Sequence, residues 1–284
     1  MKYKMVLVDM DGTLLNDEKN ISDEDVQVLK ALQEIGVIIG IATGRRYSFA
    51  KAVIERYGLD AVFFSNNGNA IWEMSTDTLI DSTTIRKECL LDILKMGYEK
   101  DMHPVLHANY NGYELICEYD ASYPGYNGYV SPSTTNLLVI DDFALLPDSH
   151  VMIMCYTGNM EKVQELKDRI DEKYPDEIHT HITMSLKRIG PLLEVSHIEG
   201  TKWHAALKYA ERCGIKQEEI IAIGDDSNDL EMIRYAGLGI AMKNALDFVK
   251  PMADLVTEYD NNQSGVGRVL KKVFAEELAN ILNE

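Results

Sequence analysis

Asp9, Met10, Asp11, Gly12 and Thr13 follow the apolar run Val6-Leu7-Val8. Carboxylates repel one another and resist burial, so two of them at the end of a core strand call for a chemical reason. Two residues apart on an extended chain, their side chains share a face. Such oxygens suit a hard divalent cation, and Mg²⁺ takes few protein carboxylates together with water and phosphate. With the charge offset, Asp9 can attack phosphorus as a nucleophile and form an aspartyl-phosphate. Asp11 can protonate the leaving oxygen and later take a proton from water. Gly12 permits a tight turn in which backbone N–H groups approach an anion.

Three further polar clusters follow apolar runs. They are Thr43-Gly44-Arg45, Asn66-Asn67-Gly68 and Gly224-Asp225-Asp226-Ser227-Asn228-Asp229. Thr43 offers a hydroxyl to a phosphoryl oxygen. Asp225 completes a metal set with Asp9 and Asp11. Asn228 and Asp229 hold the loop, the metal waters or Lys202. Lys202, at the start of a helix, offsets the charge of a phosphate and of Asp9. Taken singly, each motif has a plainer explanation: an acidic turn, or a capped helix start. Asn67-Gly68 is equally a two-residue hairpin turn and a substrate contact, and Arg45 is equally an anion ligand and a solvated helix-start residue. Their joint placement after apolar strands favours chemistry.

The elements that must position these clusters alternate. Residues 4–9 read as a strand. A helix follows from the N-cap Ser22 to Gly36, then a strand at 37–43, a helix from 47 to 57 and a strand at 61–65. The alternation resumes at 200, with strands at 220–224, 238–242 and 254–257, and a final helix whose stripe runs from Val266 to Ile281. Strands alternating with helices imply a parallel sheet, and open α/β sheets bind ligands beyond the carboxyl ends of their strands. Between them lies a segment of mixed α+β character, about a hundred residues long and of domain size. The expected organisation is a discontinuous core, 1–83 and 190–284, interrupted by a second domain at 84–189.

Composition bounds the partners. Of 284 residues, 28 are Lys or Arg and 46 Asp or Glu, a formal charge of -18. That balance speaks against nucleic acid and against an anionic membrane surface, but not against a small anion beside a metal. Cys89, Cys117, Cys155 and Cys213 form no Cys-x-x-Cys pair and read as core residues of a reducing cytoplasm. No apolar run suggests a signal peptide or a membrane span. His179 and His181 share a strand face, but two ligands do not make a metal site.

The motifs "DMDGTLL", "IATGR", "NNG" and "GDDSNDLEM", with "AGLGIAMKNA" and "ADLVT" downstream, closely resemble the Cof-type branch of the haloacid dehalogenase superfamily. The resemblance implies a Rossmann-like core with a parallel sheet, an inserted α+β cap that selects the substrate, Mg²⁺ and a phosphoaspartate intermediate. Asp9 then corresponds to the nucleophile and Asp11 to the acid/base. Asp9, the Asp11 carbonyl and Asp225 correspond to the metal ligands, and Thr43, Gly44, Lys202 and Asn228 to the phosphate site. One position departs from the pattern: glycine usually follows the catalytic lysine, and here Trp203 does. The second aspartate favours a phosphatase over a dehalogenase. The expected substrate is a small phosphomonoester, a sugar phosphate or a phosphorylated cofactor, with the protein a monomer or weak homodimer. A phosphomutase of the same superfamily and a receiver-like phospho-accepting signalling module are the alternatives. In the inserted segment, Arg188 is a candidate for a second anionic group. Seven tyrosines lie between Tyr98 and Tyr129, where packing is favoured over ring stacking on a substrate.

Overall fold

The computed structural model describes residues 1–148, 150–183, 189–279 and 281. The chain divides into two compact units, one of residues 1–81 and 201 onward, the other of Ser82–Gly200.

In chain order the first unit begins with β1 (Met5–Asp9), α1 (Asp23–Glu34), β2 (Ile38–Ala42), α2 (Tyr47–Ile54), β3 (Val62–Ser65), β4 (Ala70–Glu73) and β5 (Thr78–Ser82). The second holds α3 (Lys87–Tyr98), β6 (Val105–Tyr110), β7 (Tyr113–Cys117), β8 (Leu137–Val139), β9 (Val151–Thr157), α4 (Met160–Lys173), β10 (Ile178–Thr183) and β11 (Leu192–His197). The first unit resumes with α5 (Lys202–Arg212), β12 (Ile220–Gly224), α6 (Leu230–Tyr235), β13 (Leu238–Ala241), β14 (Leu255–Val256), α7 (Gly265–Val273) and α8 (Ala275–Leu278).

The first unit is built on a sheet of order β14-β13-β12-β1-β2-β3-β4-β5. From β14 to β3 every neighbouring pair is parallel, and β4 returns antiparallel to β3. Parallel strands covered by helices on both faces are apolar throughout, and all five residues of β1 are buried. Side-chain alternation sends Val6 and Val8 to one face, with Ile39, Ile41, Ile223, Leu29 and Leu270. Met5 and Leu7 go to the other, with Phe64, Trp203, Ala206 and Met232. The Ser22 hydroxyl accepts from the Asp25 N–H at 3.0 Å and caps α1. The buried Asp25 carboxylate accepts from Gly267 N–H at 2.5 Å and ties α1 to α7.

The second unit carries a six-stranded sheet, β10-β11-β9-β6-β7-β8, antiparallel except for β7 with β8. One face packs Leu106, Ile116, Met154, Leu193 and Val195 against Ile93 and Leu94 of α3 and Val163 and Leu166 of α4. This is the expected α/β core with an α+β insertion.

Three expectations are corrected. The insertion ends at Gly200, eleven residues beyond the expected end at 189, because β11 pairs with β9 and β10 and its residues belong to the second sheet. The single C-terminal helix is broken at Phe274, a buried residue with φ −104° and ψ 28° that separates α7 from α8. Cys213 is exposed, whereas Cys89, Cys117 and Cys155 are buried; all four are free thiols. No helix among the described residues is long and apolar enough to cross a membrane.

Candidate active site

Four adjacent strands, β12, β1, β2 and β3, end on the same edge of the first sheet, and the four polar clusters begin there. Asp9 closes β1. Thr43 follows β2, Asn66 follows β3, and Asp225 follows β12. Parallel pairing makes this convergence unavoidable, because every strand in the set points the same way.

The centre of the site is Lys202. Its side chain is 1% exposed, and its Nζ donates to Asp9 Oδ1 at 2.6 Å and to Asp229 Oδ1 at 2.7 Å. The other oxygen of Asp229 accepts from the backbone N–H groups of Asp225 (2.9 Å) and Asp226 (3.1 Å). Asp229 therefore holds both the lysine and the loop, two of the roles expected of it. Thr201 caps α5, its hydroxyl accepting from His204 N–H at 3.2 Å, and so presents Lys202 on the first turn. Gly68 lies against that start: its φ is +94°, and a Cβ there would strike the Thr201 carbonyl. Trp203 does not displace the lysine. One residue along a helix turns the side chain by about 100°, and the ring is buried in the apolar cluster with Leu7 and Phe64.

Asp9, Asp225 and Asp229 each bring a carboxylate oxygen within 4.8 Å of the others, the one such metal-competent group among the described residues. Burial first, then the charge of Asp229, lifts Asp9 well above the ordinary carboxylate range, against the pull of Lys202. Burial also raises Asp225, to about 6, although the Thr13 hydroxyl donates to its Oδ1 at 2.6 Å. Burial opposes the charge on Lys202, but Asp229 and Asp9 outweigh it and keep the ammonium protonated. Three carboxylates around one ammonium leave an excess of negative charge, and the donors are all hard oxygens. Asp229 is spent on Lys202 and the loop. Asp9 and Asp225 each keep one oxygen without a hydrogen bond from the described residues. The set fits a hard divalent cation.

Asp11 faces elsewhere. Arg45 grips both of its oxygens, Nε to Oδ2 and an Nη to Oδ1, each at 2.7 Å, and Lys19 Nζ reaches Oδ1 at 2.7 Å. Burial works against the Asp11 charge, but these hydrogen bonds win and hold it below the ordinary range. Arg45, expected on an anion, is thus engaged by Asp11. Thr43 is buried, and its hydroxyl accepts from Arg45 N–H at 3.1 Å. Gly44 is exposed beside Asn67, whose oxygen would lie 3.1 Å from an added Cβ. Asn67 (φ 57°) lies between Asn66 (φ 53°) and Gly68 (φ 94°), all left-handed, in the turn joining β3 to β4, and its side-chain oxygen also accepts from Asn228 Nδ2 at 3.1 Å. Asn67 is thus a turn residue, but of a four-residue loop between the paired Ser65 and Ala70, not of the two-residue hairpin turn expected. Arg188 lies outside the described residues.

Three participants escaped the sequence reading: Lys19, the Thr13–Asp225 bond, and Asn244, which donates to the Gly12 carbonyl at 2.7 Å. Asn244 lies three residues past the end of β13, on the same sheet edge, so a strand-end rule extended by a few residues would have found it. In the second unit Tyr126 is 1% exposed and packs with Val105, Leu115 and Val130, while Tyr119 and Tyr123 stack at 4.3 Å. Tyr126 is thus a packing residue. His179 and His181 are exposed on β10.

A family model for haloacid dehalogenase-like hydrolases matches residues 6–270. The chain is 29% identical over 270 residues to the 5-amino-6-(5-phospho-D-ribitylamino)uracil phosphatase YcsE of Bacillus subtilis, covering 94% of each chain. It is 27% identical to phosphatase YwpJ of the same organism, covering 95% of this chain and 100% of that one. Among solved structures, TM0651 of Thermotoga maritima superposes with TM-score 0.78 at 27% identity, covering 95% of this chain and 97% of that one. A haloacid dehalogenase-like hydrolase from Bacteroides thetaiotaomicron has the same fold, with TM-score 0.77 at 24% identity and coverage of 96% and 100%.

Proposed function

The chain belongs to the haloacid dehalogenase-like hydrolases, and from that premise we propose that it is a Mg²⁺-dependent phosphatase that hydrolyses a small phosphomonoester through Asp9. The observation that carries the reading is the buried Lys202 bridging Asp9 and Asp229 at the carboxyl end of the central strand. That contact leaves one oxygen of Asp9 for attack and holds the other in place.

Asp9 attacks phosphorus, the ester P–O bond breaks, and Asp11 supplies a proton to the departing alkoxide. Water then attacks the phosphoaspartate, Asp11 takes the proton, and phosphate leaves with Asp9 restored. Thr43 and the backbone around Gly44 and Gly12 offer donors to the phosphoryl oxygens, Asn228 helps to seat them, and Lys202 stabilises the charge that builds on them. The Asp9 and Asp225 carboxylates and the Asp11 carbonyl would hold the metal, which when bound supplies positive charge to the phosphoryl group and offsets the carboxylates. Asp11 must carry a proton in the first half-reaction. Incoming phosphate must therefore compete for Arg45, which now grips both Asp11 oxygens. The inserted unit is proposed to select the substrate. Given the name of the YcsE relative, a phosphorylated ribityl compound and simple sugar phosphates are the first to test.

Asp11→Asn keeps the backbone carbonyl but removes both proton transfers. With p-nitrophenyl phosphate, whose leaving group needs no acid, the variant is expected to release one equivalent of nitrophenolate and then stall. The phosphate should be found covalently on Asp9, and Asp9→Asn should show no burst. Steady turnover of Asp11→Asn at the wild-type rate, with no trapped phosphate, would refute the acid/base assignment.

A further inference from the structure

Lys19 sits in a loop that is bent to bring it back over Asp11. Asn16 N–H donates to the Asn20 carbonyl at 2.9 Å, and Lys19 N–H donates to the Asn16 carbonyl at 2.9 Å. Asn20 N–H donates to the Asn16 side chain at 3.0 Å. Neighbouring segments pin the loop: Asn262 accepts from Asp17 N–H at 3.0 Å, and the Tyr57 hydroxyl accepts from Ile21 N–H at 3.0 Å. Within this frame Lys19 has φ +63°, a left-handed conformation that glycine and asparagine adopt readily and lysine does not. The strained residue aims its ammonium at Asp11 Oδ1, the oxygen that one Arg45 Nη also holds.

Stability does not explain this arrangement. The two side chains are 57% and 40% exposed, and an ion pair in water contributes little to folding. Strain retained without a stability gain points to a role at the site.

We propose that Lys19 is a positioning residue for Asp11, holding the carboxylate where it can exchange a proton with the leaving oxygen and with water. The proposal rests on the reaction assigned above. When phosphate draws on Arg45, Lys19 is the cation still anchoring Asp11, reaching it from the far part of the same loop that follows β1.

Lys19→Asn tests this without disturbing the fold, because asparagine accepts the left-handed conformation and lacks the ammonium. Its melting temperature is expected to equal or exceed that of the wild type. With enzyme in excess over p-nitrophenyl phosphate, nitrophenolate release should stay within twofold of wild type, since that step needs no acid. Steady-state kcat should fall about tenfold, because water attack depends on an oriented Asp11, and Lys19→Arg should restore it to within twofold. Equal losses in both phases would indicate a general distortion and overturn the proposal. So would an unchanged or increased kcat, which would mean that the ammonium is idle or restrains Asp11. Wild-type protein that hydrolyses no phosphoester would overturn the assigned reaction and this inference with it. Wild-type turnover with an insensitive Lys19 would overturn the inference alone.

Discussion

At the scale of single residues, the charge pattern around Lys202 bears on both the proposed reaction and stability. A buried ammonium between two carboxylates is a poor source of net stability, yet removing it strands two buried acids. Lys202→Met is expected to lower turnover at least a hundredfold and to destabilise the protein by about 3 kcal/mol. Part of that loss should return in mildly acidic buffer, where Asp9 and its neighbours take up protons instead of remaining as unpaired charges. Denaturant unfolding at two pH values measures it. A variant as stable as the wild type at neutral pH would show that the carboxylates are neutral before the lysine is removed.

At the scale of elements, the site depends on how closely α5 approaches the turn after β3. Gly68 abuts the Thr201 backbone, so a methyl group there must push the start of α5 away from the sheet edge. Gly68→Ala adds the cost of a left-handed alanine to that displacement. The expected result is a loss of about 1–3 kcal/mol in stability and a drop in kcat of about tenfold or more as Lys202 leaves its place. Thermal melts and p-nitrophenyl phosphate kinetics check both. The same element accounts for Trp203. A large ring after the lysine is compatible with the site because the helix turns that position into the core, where it packs with Leu7 and Phe64.

At the scale of the whole molecule, the two units have separate cores and need not share a pH response. Glu194 lies on β11 in the second unit, between Cys155 of β9 and His181 of β10. Burial without an ion pair among the described residues pushes its carboxyl up to about 7. The folded state therefore binds this proton more tightly than the unfolded chain does. The resulting stabilisation is complete below the ordinary glutamate value and is lost as pH rises through about 7, at most about 3 kcal/mol. Glu194→Gln should flatten the decline in melting temperature between pH 5 and pH 8 and should melt above the wild type at pH 8. An unchanged slope would mean that Glu194 is solvated when charged.

Much of this protein was legible in the sequence because its signals are local. An apolar run buried on two faces, such as Met5–Asp9, announces a parallel strand, and a polar cluster just after it announces a ligand edge. Asp9, Thr43, Lys202, Asp225 and Asp229 could be named because chain order and strand direction alone bring them together. What the sequence withheld was long-range. The pairing of β11 with β9 and β10 moved the domain boundary, since antiparallel partners are chosen by burial across the sheet and leave no local mark. The grip of Arg45 on Asp11 depends on where two loops end in space, and that of Lys19 on how the loop after β1 is bent back by distant segments; a charged loop residue looks alike in sequence whether it faces water or a carboxylate. Tyr126 belongs to the same class: its ring could have met a ligand, and only the folded packing of Val105, Leu115 and Val130 around it made it core. Residue type and spacing determined which groups can do the chemistry. Tertiary structure decided which of them are buried, paired and held in place, because those properties depend on neighbours far away in the chain.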